Sequence, residues 1–597
     1  MELPIYNEDS DGTIGDAFKS LFKHLNAKQK SKMGLLMLLI FISAVFDVFG
    51  LASILPLVKY APAPTALHDN QYLHSVYTYF NFNSDKKFLL FLLLCIFAFF
   101  IFKSIYGFFV SYLQTRFSGD IAYTITKKQF NKYFGLDFHR FTSIKSSVVT
   151  HHIISNPDSY VTWVILPLIM LVSEMIMVLL IITGIAIYDI KLFLFIAVII
   201  GPSTYLIFAL LKKRSTRIGA EVDRIYPAAM AMLIQTIGGY IDIKLADKEK
   251  FYRDKFLTLQ QQYHRLNMQS YLQNLIPLRA NELVALTGVI IIFVYAIFIQ
   301  DDSSSAVTMI GLFAAAAYRL MPSLNRIVSS MIYIRKNQTA MNNLSLYENE
   351  ILENKFTGTK KVVRFEKEIH LNNISFCYPG KDEEVLNNID IRIKRGEKIG
   401  FIGLSGSGKT TLMNVLLRFY IEQRGNITVD GVPLTPENTT DWRLKIGYVK
   451  QDIYLLDASI KENITLGDSP VNETLLDLAI KQASLDKLVD TLPQGLNTLV
   501  GERGSKLSGG QRQRISIARS LYRNAEILIF DEATSALDNQ TEQEVTESID
   551  SLSDTQKTIF IIAHRITTLR NCDRIYELKD GSIGGVYTYQ ELIEKVI

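Results

Sequence analysis

The sequence predicts two domains of different fold class: an α-helical domain with six membrane spans, followed by an α/β domain. Two observations lead to this prediction. Up to about residue 330 the chain is a series of long apolar runs, six of which approach or exceed the roughly 20 residues that cross a bilayer. From about residue 360, short apolar segments typical of strands alternate with helical patterns, and one of them ends in a glycine-rich loop.

Composition excludes several classes of protein. The 597 residues are 48% hydrophobic and 20% charged, with a net charge of only +4. That charge is too small over this length to indicate a nucleic-acid partner. The three cysteines, Cys95, Cys377 and Cys572, are far apart, match no metal-ligand spacing and have no near neighbour for a local disulfide, so we interpret them as structural.

The apolar runs define the domain boundaries. We expect a cytosolic amino terminus over 1–32, a transmembrane domain over 33–345, a linker over 346–362 and the α/β domain over 363–597. The predicted spans lie at about 33–58, 88–114, 161–188, 192–211, 278–300 and 306–328.

Basic residues predict the orientation of the spans. Lysine and arginine concentrate before the first span, between the second and third, and after the fourth, so these segments and the amino terminus should be cytosolic. The first 32 residues are polar and predict no signal peptide; "DAFKSLFKHLNAKQKSK" is typical of an amphipathic helix on the membrane surface. The basic residues are Lys19, Lys23, Lys28, Lys30, Lys32, Lys127, Lys128, Lys132, Arg140, Lys212, Lys213, Arg214 and Arg217.

Two cytosolic loops, 115–160 and 212–277, are much longer than a turn requires but are not apolar enough to span again. We expect extensions of the flanking helices that end in short segments able to touch another domain. "IGGYIDIKLADKE" in the second loop is the plausible contact element.

A nucleotide-binding loop begins the functional part of the α/β domain. "FIGLSGSGKTTLMNVLL" contains G-x-x-x-x-G-K-T from Gly403 to Thr410, after the strand-like "KIGFI" and before an apolar helix. Glycines let backbone N–H groups surround phosphates, and the helix N-terminus adds its dipole. Lys409 should reach the β- and γ-phosphates, and Thr410 should hold Mg²⁺.

A carboxylate pair lies downstream in "EILIFDEATSALD". Asp531 ends an apolar strand, which is how folds of this kind present their Mg²⁺ aspartate. Glu532 follows it and is placed to act as the general base on the attacking water.

Between these motifs, "LSGGQRQRISIARSLYRN" places small residues before a basic amphipathic helix, which makes a second anion-binding helix N-terminus. One nucleotide does not need two such sites in one domain. We therefore expect Ser508, Gly509 and Gly510 to bind the γ-phosphate of a nucleotide held by another copy of the domain.

Together these motifs resemble those of ATP-binding cassette (ABC) proteins. "LSGGQ" at 507–511 is similar to the family signature, and the order and spacing of its neighbours agree over 363–597. The resemblance implies adenine stacking by Tyr378, a Q-loop glutamine that acts in catalysis and at the metal, a D-loop in "SALD" at 535–538, and a switch histidine. The full set of implied residues is: catalytic Glu532, His564, Lys409 and Gln451; ATP-binding Tyr378, Gly403, Ser405, Gly406, Ser407, Gly408, Lys409, Thr410, Thr411, Ser508, Gly509, Gly510, Gln511 and Asp538; Mg²⁺-binding Thr410, Gln451 and Asp531.

Six spans followed by one such domain resemble a half-transporter of the exporter type. The resemblance implies a homodimer, in which each ATP lies between the phosphate loop of one copy and the signature loop of the other. ATP binding would close the two domains and hydrolysis would reopen them, driving the membrane helices.

Charged residues inside the predicted spans give information about the substrate, because charges in a membrane often line the path of a transported molecule. Arg319 lies roughly 20 Å into span six, and Arg326 lies near its inner end. Either arginine can snorkel to the interface or face an inner cavity, where it would suit a phosphate or carboxylate. Pro322 would kink the span between them. Other charges that would share this path are Asp47, Lys103 and Glu174.

A second, narrower resemblance concerns these spans. "YRLMPSLNRI" at 318–327 and "FDVFGLASILPLV" at 46–58 resemble the PglK-type flippases of lipid-linked oligosaccharides. That resemblance implies a polyprenyl-pyrophosphate-linked oligosaccharide as substrate, a bacterial inner membrane, and a lipid-recognising external helix near "DNQYLHSVYTYFNF" at 69–82; an interfacial aromatic belt also explains this last stretch. A general lipid or multidrug exporter, a peptide exporter and an ATP-gated membrane protein remain alternatives.

Overall fold

The computed structural model describes residues 14–60, 71–82, 84–188, 190–299, 303–348, 362–532, 539–552, 556–563 and 565–596. The chain divides into two compact units. The first comprises Met1–Phe134 and Ile144–Glu350, and the second comprises Gly135–Ser143 and Ile351–Ile597. The linker predicted over 346–362 and the predicted amino-terminal segment lie partly outside the described residues.

The first unit is helical because its sequence is apolar over lengths that only a helix can carry through a bilayer with every backbone group hydrogen-bonded. Two π-helical turns, His151–Ser155 and Val161–Ile165, interrupt one of its long helices. Its helices, with the short one that joins the second unit, are α1 Ile14–His24, α2 Ala27–Tyr60, α3 Gln71–Tyr79, α4 Asp85–Phe134, α5 Phe138–Ser143, α6 Ser146–Thr150, α7 Asn156–Tyr160, α8 Leu166–Tyr188, α9 Ile190–Gly238, α10 Tyr240–Leu245, α11 Glu249–Ile299, α12 Ser303–Lys336 and α13 Gln338–Ser345.

Five stretches of the described residues are long and apolar enough to cross a membrane. They coincide with the first five predicted spans. The sixth prediction, about 306–328, falls within α12. The helical transmembrane domain is therefore confirmed; the described residues of every predicted span are helical, and the third span begins in the π-helical turn Val161–Ile165.

The amino-terminal helix α1 is amphipathic, as predicted, but its buried face belongs to the protein core. Ala17 and Leu21 are fully buried among residues of the long helices. Ser20 Oγ and the hydroxyl of Tyr160 are 3.0 Å apart, and Lys23 forms an ion pair with Glu348 near the end of the unit. The apolar periodicity predicts a stripe that faces the membrane surface, whereas in the structure the stripe residues Ala17 and Leu21 pack against protein.

The two long loops, 115–160 and 212–277, are built as predicted, from helix extensions joined by short helices. α4 continues to Phe134, and the segment that follows packs as part of the second unit. There the ring of Phe138 stacks on Phe419 at 4.7 Å between centroids and meets Tyr420 edge-on at 5.5 Å. In the other loop, α10 exposes the apolar side chains of Tyr240, Ile241 and Leu245.

The second unit contains two sheets. A four-stranded antiparallel sheet has the order β2-β1-β4-β5; a six-stranded sheet has the order β10-β9-β3-β8-β7-β6 and is parallel except at β9–β10. The strands are β1 Glu368–Cys377, β2 Glu384–Lys394, β3 Lys398–Ile402, β4 Arg424–Val429, β5 Val432–Pro433, β6 Ile446–Val449, β7 Ile527–Asp531, β8 Thr558–Ile562, β9 Arg574–Lys579 and β10 Ser582–Tyr587.

Helices cover the parallel sheet, so β3, β7 and β8 are almost wholly apolar, as central parallel strands should be. Because β8 lies between β3 and β7, the carboxyl ends of all three meet at one edge, where ligands of open α/β sheets bind. The helices are α14 Lys409–Leu416, α15 Thr439–Leu444, α16 Ile460–Thr465, α17 Glu473–Gln482, α18 Asp486–Thr491, α19 Gly509–Tyr522, α20 Asn539–Ser551 and α21 Tyr589–Val596.

Trp442 provides a test of the core of the second unit. Its side chain is fully buried, and its Nε1–H donates to the carbonyl of Leu416 at 2.8 Å. Trp442→Ala should destabilise this unit by about 3–5 kcal/mol, because it leaves a cavity and an unsatisfied carbonyl. The measurement is calorimetry of the full chain in detergent. The unfolding transition of the second unit is the one whose midpoint temperature rises when ATP is added, and the substitution should lower that midpoint.

The control is Trp163→Ala in the first unit, where the side chain is 42% exposed. That variant should leave the ATP-sensitive transition in place. An unchanged transition in Trp442→Ala would contradict the packing described above.

Candidate functional site: an ATP-binding edge and a charged membrane cluster

The phosphate loop follows β3 and leads into α14, as predicted. Its backbone requires glycine at two points. Gly403 has φ +148°, and a Cβ there would lie 2.3 Å from the carbonyl oxygen of Leu578; Gly408, with φ +103°, forms the left-handed turn that starts α14. The intervening residues Ser405 and Gly406 are exposed, so the loop is open to a ligand.

Lys409 points back into this loop. Its Nζ donates to the carbonyls of Gly403 at 2.7 Å and Leu404 at 3.0 Å, so neutral acceptors surround the buried ammonium. Burial lowers the pKa of Lys409, and the charges of Glu532 and Asp531 oppose that shift. The loop therefore holds a cation whose charge a phosphate group would balance better than carbonyls do.

Ser407 supports the same interpretation, because its Oγ is buried and has no hydrogen-bond partner in the described structure. An unsatisfied buried hydroxyl needs an acceptor or donor that a ligand would supply. The neighbouring Thr411 is also buried, and its Oγ1 is 2.8 Å from the hydroxyl of Tyr378. The residue predicted to stack on adenine is thereby tied to the helix that carries the phosphate loop.

The ring of Tyr378 lies among other aromatic rings. Its centroid is 5.3 Å from that of Phe376 and 5.3 Å from that of Tyr420, both in edge-to-face geometry. The side chain is partly exposed, so one part of the ring remains open. Its role in adenine binding stays a prediction.

Asp531 ends β7, as predicted, and is buried. Burial raises the pKa of Asp531, and the hydrogen bond from Tyr448 opposes that shift; the hydroxyl of Tyr448 donates to Asp531 Oδ2 at 2.7 Å. Glu532 has φ +50°, a left-handed conformation that is rare for this residue type, and its N–H donates to the carbonyl of Ile562 at 3.0 Å. Backbone strain of this kind often marks functional positions.

Three oxygen donors at this edge have the chemistry that Mg²⁺ prefers. Asp531 contributes a carboxylate, Thr410 an exposed hydroxyl at the second position of α14, and Gln451 an exposed amide just after β6. The donor set of these residues therefore fits Mg²⁺.

The signature loop is organised around the start of α19. Ser508 caps this helix: its Oγ accepts the N–H of Gln511 at 3.3 Å, while its own N–H donates to Gln511 Oε1 at 2.9 Å. Ser508 is exposed, and Gly509 and Gly510 form the first turn, so an anion has access to the helix N-terminus. Asp538 and His564 lie outside the described residues.

In the first unit, the structure brings the predicted membrane charges together. Asp47 of α2 contacts Lys103 of α4 at 2.6 Å and Arg319 of α12 at 3.1 Å. All three side chains are between 18% and 23% exposed. This cluster carries two cations against one anion.

The second group of membrane charges is a pair of one arginine and one glutamate, so it has no net charge. Arg326 Nε donates to Glu174 Oε1 at 2.5 Å, which links α12 to α8. Glu174 Oε2 is buried and has no partner in the described structure.

Sequence reasoning missed Tyr448, which contacts Asp531 from the neighbouring strand. The available signal was a tyrosine three residues before Gln451, in the apolar stretch "IGYV". Only the pairing of β6 with β7 reveals its partner.

Comparisons with known proteins agree with this geometry. A family model described as ABC transporter matches residues 386–535, and one described as ABC transporter transmembrane region matches 70–322. An ATP-dependent lipid A-core flippase of Francisella tularensis subsp. holarctica (strain OSU18) is 30% identical over 506 residues, which are 83% of this chain and 81% of that protein. One of Pseudoalteromonas translucida (strain TAC 125) is 39% identical over 303 residues, 50% of this chain and 52% of that protein.

A solved structure extends the comparison to the whole fold. A bacterial Atm1-family ABC exporter with ATP bound has a TM-score of 0.79 at 21% identity, covering 96% of this chain and 97% of that one. The helical membrane domain followed by the α/β domain is therefore the exporter fold.

The chain belongs to the ABC transporters. It is an exporter-type half-transporter, an integral membrane protein whose ATP-binding domain hydrolyses ATP in a manner coupled to transport.

Glu532→Gln tests the proposed general base. The amide keeps the size of the side chain but cannot accept the proton, so turnover should fall by about 10²- to 10⁴-fold while ATP still binds. ATPase rate and nucleotide affinity should be measured on the same purified sample. Glu547→Gln, an exposed glutamate of α20, is the matched control and should keep wild-type turnover. Near-normal turnover in Glu532→Gln would remove Glu532 from this role.

Proposed function

We propose that this protein is a homodimeric ATP-driven flippase for an anionic, phosphate-bearing glycolipid. The observation that carries the proposal is the largely buried cluster of Asp47, Lys103 and Arg319, in which, among the residues that the structure describes, one carboxylate faces two cations. Uncompensated charge in a membrane is costly and is retained where function needs it.

Two head groups fit this chemistry. The relatives named above are lipid A-core flippases, which supports a phosphorylated glycolipid of that kind. The stretches 318–327 and 46–58 favour a polyprenyl-pyrophosphate-linked oligosaccharide. Both present phosphate to a guanidinium, and Arg319 offers the forked donor geometry that binds phosphate well.

The dimer follows from the arrangement of the ATP site. Each chain supplies one phosphate loop and one signature loop, and we propose that ATP is enclosed by the phosphate loop of one copy and Ser508, Gly509 and Gly510 of the other. The exposed apolar side chains of Tyr240, Ile241 and Leu245 on α10 offer a surface for contact with the second copy.

We assign roles at the ATP site as follows. Lys409 binds the phosphates, Thr410, Gln451 and Asp531 hold Mg²⁺, and Glu532 accepts a proton from the attacking water. Mg²⁺, when bound, neutralises charge that develops on the phosphate oxygens. His564 and Asp538 complete the site by resemblance. The amino terminus and ATP-binding domain would face the cytosol of a bacterial inner membrane.

The charge cluster can be tested with two substitutions that separate binding from structure. Arg319→Ala should reduce transport at least about tenfold while basal ATPase activity survives, because a charge-assisted contact to the head group is lost. Asp47→Asn frees both cations and should maintain or strengthen binding of the anionic lipid. If the ion pair were merely structural, both variants would impair transport alike.

Arg279→Ala is the matched control, since this arginine of α11 is largely exposed and pairs with Glu282 only one turn away. It should transport at the wild-type rate. All variants should be compared at equal amounts of folded protein in proteoliposomes.

The function itself is tested by ATP-dependent flipping in those proteoliposomes. Labelled lipid A-core and a labelled polyprenyl-pyrophosphate oligosaccharide should be assayed separately, with Glu532→Gln as the control for coupling. Movement of either lipid that requires ATP and is lost in Glu532→Gln supports the proposal and identifies the head group. Movement of neither, with active ATPase, would contradict it and direct the search to apolar drugs, other lipids and peptides.

A further inference from the structure

Tyr448 lies beside the metal edge of the ATP site, although none of the motifs described above includes it. It belongs to β6, which pairs in parallel with β7, and the register places Tyr448 opposite Ile529. Asp531 is two residues further along β7 and therefore points to the same face as Ile529. The hydroxyl of Tyr448 donates to Asp531 Oδ2 at 2.7 Å.

The geometry of the strands selects tyrosine for this contact. Two residues along a strand cover about 7 Å, which is close to the distance from a tyrosine Cα to its hydroxyl. A serine, threonine or asparagine at the same position would be too short to reach the carboxylate. The ring is held in place by partial burial in the core and by Lys450, whose Nζ lies 5.5 Å from the ring centroid.

The chemical character of the partner also matters. A direct ion pair with lysine or arginine would neutralise the carboxylate and compete with a metal ion. Burial raises the pKa of Asp531, and the charges of Lys450 and Lys409 oppose that shift. The side chain that donates a hydrogen bond to the carboxylate is nevertheless the phenol of Tyr448. A phenol is a neutral donor that orients the carboxylate and leaves its full negative charge. Each carboxylate oxygen accepts more than one bond, so a hydroxyl on Oδ2 leaves Oδ1 available as a ligand.

We propose that Tyr448 is a positioning residue for the metal: its hydroxyl fixes the orientation of the Asp531 carboxylate, so that Mg²⁺ binds an oxygen that is already in place. This inference rests on the proposal that Asp531 is a metal ligand. It adds a partner that holds a metal ligand in position, which is how ligating carboxylates are commonly supported.

A purely structural role is the competing explanation. The ladder between β6 and β7 is already formed by backbone pairing, and at its other end Lys445 forms an ion pair with Glu526 at 2.6 Å. If the hydroxyl only joined two strands, its removal would lower the unfolding temperature and leave metal binding unchanged.

The test is Tyr448→Phe in the full-length protein, which removes the hydroxyl and keeps the ring. Binding of Mn²⁺, used as a paramagnetic substitute for Mg²⁺, should be titrated by electron paramagnetic resonance in the presence of a non-hydrolysable ATP analogue. Metal affinity should fall by about tenfold, the loss expected for one hydrogen bond to a charged group. The Mg²⁺ concentration needed for half-maximal ATPase should rise in parallel, while kcat at saturating Mg²⁺ stays within about twofold and metal-free nucleotide affinity is unchanged.

Tyr522→Phe is the matched control. Tyr522 is buried in the same unit, and its hydroxyl accepts the N–H of Asn472 at 3.1 Å rather than contacting a proposed metal ligand. Tyr522→Phe measures how the loss of one buried tyrosine hydroxyl affects folding. This variant should keep the wild-type affinity for Mn²⁺. If Tyr448→Phe folds poorly, both variants are compared at a temperature where each is fully folded.

Asp531→Asn tests the assignment of Asp531 as a metal ligand separately from the role of Tyr448, which depends on that assignment. Loss of Mn²⁺ affinity in Asp531→Asn supports the metal-ligand assignment, and in that background Tyr448→Phe should have no further effect. Unchanged Mn²⁺ affinity in Asp531→Asn would overturn the assignment of the ligand itself. Normal Mn²⁺ affinity in Tyr448→Phe, with affinity lost in Asp531→Asn, would overturn the role of Tyr448 alone.

Discussion

An ionised side chain that leaves water must find compensating partners, and this constraint governs the functional parts of both units. In the ATP-binding domain, Lys409 is surrounded by carbonyls of its own loop, and Asp531 accepts a tyrosine hydroxyl. In the membrane domain, Lys103 and Arg319 share Asp47. In each case the partners reduce the free-energy cost of burying the ionised group, but the site keeps a net charge. A ligand of the opposite charge would therefore be favoured at that site.

The balance of charge distinguishes neighbouring groups that look alike in sequence. Arg326 and Glu174 form a one-to-one pair, which joins two helices without favouring a ligand of either sign. Arg319 shares its acid with a second cation, so an anion gains energy by approaching it. The same comparison holds at the ATP site, where Lys409 faces neutral acceptors and therefore suits phosphate, whereas Lys398 forms an ion pair with Asp550 and is already balanced.

Much of this architecture could be predicted from the sequence, because apolar length and motif order are local properties. The phosphate loop, the carboxylates after β7 and the helical spans all lie where the residues indicated. Tyr448 could not be found in the same way, because its contact with Asp531 depends on the pairing of β6 with β7, two strands that a long stretch of chain separates. For α1, periodicity revealed the apolar stripe but not whether lipid or protein covers it, because both are equally apolar surroundings. The sequence shows that Asp47 and Glu174 are acids within the predicted spans. Only the packing of the helices reveals that Arg319 contacts Asp47 and that Arg326 contacts Glu174.

The helix α4 is continuous from the membrane charges to the carboxyl-terminal end of the helical unit. This helix is a single element of 50 residues, about 75 Å long, which carries Lys103 within the membrane part. Near its carboxyl end, the buried Nζ of Lys132 donates to the carbonyls of Leu344 and Leu346 at 2.9 and 2.8 Å, so α4 also holds the last turn of the helical unit. On the proposed function, a head group that approaches Lys103 would contact the same continuous helix that Lys132 holds against Leu344 and Leu346. We therefore expect a shift of α4 at the charge cluster to be transmitted to this end of the helical unit, because helices that shift as units are a common form of switching transition.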